Sequence, residues 1–108
     1  MEHPGDLVRR YEDLLQLSRE MLQLARQGQW DELVLRERAH ASLVADLAVA
    51  AATVPVPPAD GLRISELIEL ILKLDSETQL LAHSWKNELQ GLLESMSTER
   101  KLSHAYGP

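Results

Sequence analysis

Glu37 and His40 stand three residues apart in a chain with few other residues arranged for chemistry. On a helix that spacing puts an acid and an imidazole on one face. There they could form a polar recognition spot or an edge pair reaching solvent. The other histidines, His3, His83 and His104, lie far away, and no two histidines are four apart to form a zinc pair. Cysteine is absent, which excludes a thiol nucleophile, a disulfide scaffold and Cys-bound zinc. There is no glycine-rich phosphate loop and no serine in a nucleophile-elbow sequence. The 17 acidic residues read as solvated helix faces beside Arg and Lys, as with Glu32 and Arg36 at i,i+4. The expectation is a protein that is not an enzyme, with no catalytic residue, no metal and no cofactor.

The composition bounds what could position these residues. At 108 residues, 44% hydrophobic and 26% charged, the chain suits one domain with one modest core. Leu and Ala dominate the apolar residues and there is no Phe, so an all-α fold is expected. The net charge of −6 and the scattered basic residues argue against direct nucleic-acid binding. The most apolar run, residues 43–56, is shorter than the ~20 residues of a membrane-spanning helix. Asp46 and two prolines also interrupt it. No signal-peptide core can be drawn in the charged first twenty residues. A cytoplasmic protein without membrane insertion is expected.

Periodicity predicts three main helices. Leu7, Tyr11, Leu14, Ser18, Met21 and Ala25 recur at steps of three and four, widened by Val8, Leu15 and Leu22. Asp6 reads as the N-cap of this helix (7–27), and Gly28 as its left-handed end. A second helix (30–53) carries Leu33, Glu37, His40, Val44, Leu47 and Ala51, flanked by Val34, Leu43 and Ala48. Asp31 and Glu32 in its first turn favour the helix dipole. Pro55, Pro57 and Pro58 stop it. The third helix (62–96) is the longest, with Ile64, Leu67, Ile68, Ile71, Leu74, Thr78, Leu81, Trp85, Leu89, Leu92 and Met96 on one face. Ser95–Thr98 reads as a break before a short last helix bearing Leu102, Ala105 and Tyr106. Short turns force an antiparallel helical bundle. The third helix then overshoots its neighbours by roughly 15–20 Å at 1.5 Å per residue. The overshoot carries Trp85, Leu89, Leu92, Leu93 and Met96, and apolar surface of that size marks an interaction site.

The corner "LARQGQWDEL" invites comparison with tetratricopeptide repeats, which recur at ~34 residues. The next corner would fall near residues 60–66, where "DGLRISE" lacks the aromatic and paired acids. The motif is therefore a single hairpin turn with Trp30 packing over it. Trp85 reads as core, groove wall or dimer contact.

The run "LLQLSREMLQLARQGQWDEL", the acid at Glu37 and the ending "ERKLSHAYG" together resemble the FliT-type flagellar export chaperones. The resemblance implies a helical bundle whose last helix folds back over an apolar surface. It implies a client, the C-terminal segment of the filament-cap protein (FliD), shielded before type III export. It also implies contacts with export ATPase components and, in some bacteria, with the flagellar master regulator.

Residue pattern and resemblance meet in one expectation. A single domain (1–108) binds its client through an apolar groove of Ile64, Leu67, Ile68, Ile71, Leu74, Trp85 and Leu89, with Glu37 and His40 nearby. Residues 98–108 form a lid of Leu102, Ala105 and Tyr106. The alternatives are an anti-activator that sequesters the master regulator and a structural homo-oligomer.

Overall fold

The structure, a computed structural model, describes the backbone of residues 4–106 and the side chains of residues 5–102. Three helices account for nearly all of the described chain: α1 (Pro4–Arg26), α2 (Trp30–Thr53) and α3 (Pro58–Tyr106). The chain divides into two compact units, Met1–Thr78 and Gln79–Pro108.

Two helix starts differ from the sequence expectation for the same reason. Proline has a fixed helical φ and lacks only an N–H that the first turn leaves unbonded anyway. α1 therefore starts at Pro4 and α3 at Pro58, earlier than expected. Asp6 becomes a first-turn acid instead of the cap, where its charge favours the helix dipole. In α3 the first turn closes through Gly61 N–H donating to Pro57 O at 2.9 Å.

The turn between α1 and α2 follows from one residue. Gly28 has φ of +70°, the left-handed conformation that costs a side-chain-bearing residue roughly 1–2 kcal/mol. Gly28 N–H donates to Ala25 O at 3.1 Å, and Gln29 N–H to Leu24 O at 2.9 Å. This pair of bonds is the Schellman closure. It satisfies two carbonyls left over at the end of α1 and starts α2 one residue later.

α1 is the most deeply buried helix, and its observed face matches its periodicity. Leu7, Leu14, Leu15, Ser18, Met21, Leu22 and Ala25 are all buried, with Val8 and Tyr11 packed beside them. Leu7, Leu14 and Leu15 share a core with Leu47 and Ala50 of α2 and with Leu67 and Ile71 of α3. A second core joins Leu17, Met21 and Ala25 to Leu33, with Trp30 packed against it. The early residues of α2 thus meet the late residues of α1, so the two helices run antiparallel.

Ion pairs mark the register of α3 against α1. Arg63 Nη2 lies 3.9 Å from Glu12 Oε1, and Arg26 Nη2 donates to Glu77 Oε2 at 3.2 Å. Both residue numbers rise together, so α1 and the first part of α3 run in the same direction.

Two expectations are corrected. α2 buries Leu33, Leu47 and Ala50, while Val34, Val44, Ala48 and Ala51 are exposed. Its apolar residues occur around much of its circumference, so periodicity alone could not select the buried face. The break expected at Ser95–Thr98 does not occur: α3 continues unbroken to Tyr106. Serine and threonine cost only tenths of a kcal/mol within a helix, and neither proline nor glycine lies between 95 and 106 to force a stop. There is accordingly no separate short helix among the described residues. Leu102 is exposed on α3, and the side chains of Ala105 and Tyr106 lie outside the described residues.

The Gly28 turn yields a direct test. A Cβ built at Gly28 meets nothing closer than Trp30 Nε1 at 3.9 Å, so substitution there carries conformational strain without a clash. Gly28→Ala should destabilise the chain by about 1 kcal/mol in urea titration, and Gly28→Asn by less.

Candidate functional site

The buried stripe of α3 stops at Thr78. Leu67 and Ile71 lie in the core, Ile64 and Leu74 pack against it, and Ile68 is half-buried. α1 and α2 therefore already occupy the wall that the sequence suggested would be open to a client. Leu67 is 0% exposed and reaches no partner while the helices stay packed. Thr78 closes the stripe as a buried hydroxyl, donating to Leu74 O one turn back at 3.1 Å.

Polar pairs fasten α3 just before that point. His40 Nε2 lies 3.0 Å from Asp75 Oδ2. A carboxylate oxygen accepts, so the ring N–H donates. Both side chains are half-buried, which makes this pair less exposed to solvent than the Arg26–Glu77 pair. Glu37 is exposed and not drawn into the contact. The two residues therefore separate in role: His40 ties α2 to α3, and Glu37 faces water. Their Glu-x-x-His spacing is also that of a metal-binding pair. However, His40 is turned to Asp75, and no group of three His, Cys, Asp or Glu residues is placed to hold a metal among the described residues. Arg36 lies 3.6 Å from Glu20 of α1, so its observed contact joins two helices.

Beyond Thr78 the same spacing of apolar residues continues, but the residues are exposed. Leu81, Trp85, Leu89, Leu92 and Met96 follow one another at steps of three and four along α3. At 100° per residue they fall within a single narrow stripe. Leu93 borders the stripe, whereas Leu80 lies nearly opposite. From His83 to Leu102 every described side chain is exposed. The sequence reading puts Trp85, Leu89, Leu92, Leu93 and Met96 on the overhanging apolar surface, but counts only Trp85 and Leu89 among the groove residues and leaves Leu81 out. The signal for Leu81 was the uninterrupted periodicity, already visible in the chain. Charges flank the stripe, with Lys86 and Arg100 on one side and Glu88 and Glu99 on the other. The arrangement suits association with another amphipathic helix.

Residues 8–108 match the sequence model of the family described as "Flagellar protein FliT". The chain belongs to the FliT family. A FliT protein of Photorhabdus laumondii subsp. laumondii is 27% identical over 107 residues, covering 99% of this chain and 86% of the relative. One from Escherichia coli strain K12 is 30% identical over 109 residues, covering 99% and 88%. No solved structure matches the chain. Among the described residues of this FliT-family chain, no helix is long and apolar enough to cross a membrane.

The two parts of α3 should respond differently to one substitution. Leu67 is fully buried and Leu92 is 62% exposed. Leu67→Ala should cost about 2–5 kcal/mol of stability through cavity formation. Leu92→Ala should change it by less than about 0.5 kcal/mol. Chemical denaturation monitored by circular dichroism measures both.

Proposed function

We propose that this chain is a cytoplasmic flagellar export chaperone that holds the C-terminal segment of the filament-cap protein as a helix along α3. The contact surface is the stripe Leu81, Trp85, Leu89, Leu92 and Met96. Membership of the FliT family supports the flagellar setting. The single observation that carries the binding mode is the exposure of this stripe at helical spacing. Leu92 and Met96 keep more than half of their surface in water and Leu81, Trp85 and Leu89 more than a third, so a complementary helix that covers the stripe gains roughly 25 cal/mol per Å² of the apolar area it removes from water. Trp85 is the natural anchor, since tryptophan is enriched among residues that dominate interface energies. The core residues Leu67 and Ile71 hold α3 in place and take no part in the contact.

Calorimetry of the full chain against a peptide of the cap protein's C-terminal segment tests this reading. The double substitution Trp85→Ala with Leu89→Ala should weaken binding by a factor of roughly 30 or more, as for a central anchor. Leu80→Ala, on the opposite side of the helix, should leave affinity within about twofold. Unchanged affinity in the double variant, or an equal loss in the Leu80 variant, would remove the stripe as the binding surface.

A further inference from the structure

The exposed part of α3 differs from the rest in what keeps it helical. Residues 58–78 pack against α1 and α2 and carry an i,i+3 ion pair, Arg63 Nη1 with Glu66 Oε2 at 3.6 Å. Between residues 79 and 102 no two oppositely charged residues stand three or four apart, so pairs of that kind do not reinforce the helix. With side chains exposed from His83 onward, most of the stability there comes from local terms.

Those local terms change abruptly at Gly91. Helix formation is limited by nucleation, and residues 58–78 already supply a packed nucleus from which residues 79–90 propagate. Leu81, Trp85 and Leu89 sit at i,i+4 steps in this stretch and support one another. Gly91 then imposes the largest propagation penalty of any residue except proline. A Cβ built on it would meet nothing within 4 Å, so close packing does not require a glycine there. Ser95, Ser97 and Thr98 follow, all weaker helix formers than the leucines around them. Leu92, Leu93 and Met96, three of the apolar residues in this part of α3, lie beyond the glycine.

We propose that Gly91 is a built-in fraying point in α3. In the free chain residues 92–102 exchange between helix and coil, while residues 79–90 stay helical as an extension of the packed segment. A partner that covers Leu92 and Met96 fixes the distal residues as helix, so binding and ordering occur together. The fraying itself does not depend on which segment binds; the fixing step rests on the client reading above. A distal surface that orders on contact lets its side chains adapt to the partner, at some loss of affinity.

Amide hydrogen exchange of the full chain, resolved by residue, tests both parts. Protection should step down at Gly91 in the free chain. Gly91→Ala should raise protection of residues 92–102 roughly fivefold, the factor set by the Gly–Ala propensity difference, and leave residues 7–78 unchanged. A profile without a step at residue 91, or a Gly91→Ala variant with distal protection within twofold of the original, overturns the fraying point. Saturating cap-protein peptide should also raise protection at 92–102. A step that persists unchanged under saturation, with binding verified by calorimetry, overturns the fixing step alone. Absence of any binding in calorimetry overturns the client reading and leaves the free-chain result standing.

Discussion

The reach of the α1–α2 hairpin is the constraint on which the rest depends. Helices of 23 and 24 residues can seal only part of a helix of 49. Burial along α3 ends at Thr78, although its apolar pattern continues for several further turns. A single periodic stripe therefore serves two purposes in sequence. Its first half builds a core, and its second half remains available to something else. Hydrophobic burial is roughly proportional to the area removed from water, so apolar side chains of the stripe contribute folding energy up to residue 78, while those after it keep much of their surface in water.

The hairpin keeps its reach through a few specific contacts. The left-handed Gly28 reverses the chain within two residues, so α2 returns directly along α1. α1 then contributes to both cores, and its register with α3 is marked by Glu12–Arg63 and Arg26–Glu77. These ion pairs are exposed, and each is worth at most about 1 kcal/mol. The half-buried His40–Asp75 contact has more to lose, because removing one partner leaves the other desolvated and unbonded. It lies one turn before the end of the packed segment. It therefore restrains α3 near the point where burial stops.

Most of α1 was legible in the sequence because its apolar residues form one continuous stripe with polar residues opposite. Gly28 was legible because few residues other than glycine take the left-handed position. α2 was less so: with alanine and valine on several sides, its amphipathic period is weak and the buried face depends on the partner helices. The length of α3 was underestimated at both ends. Proline served as a start at Pro58 where a later start was read, and the small residues around Met96 suggested a stop that their propensities do not enforce. The site shifted for a related reason. Periodicity identifies a stripe without saying where its covering ends, so it extends the expected groove over Leu67 and Ile71, which are core, while Leu92 and Met96, assigned to the overhang, are exposed. The family resemblance indicated a helical protein of the flagellar system, and the match over residues 8–108 agrees with it.

Two methionines report on the two halves of this division. Met21 is 5% exposed in the core, and Met96 is 56% exposed on the stripe. Peroxide oxidation read by peptide mass spectrometry should convert Met96 rapidly in the free chain and leave Met21 intact. With the cap-protein segment bound, Met96 should become protected while Met21 is unaffected. Slow oxidation of Met96 in the free chain, or undiminished oxidation in the complex, would contradict the account.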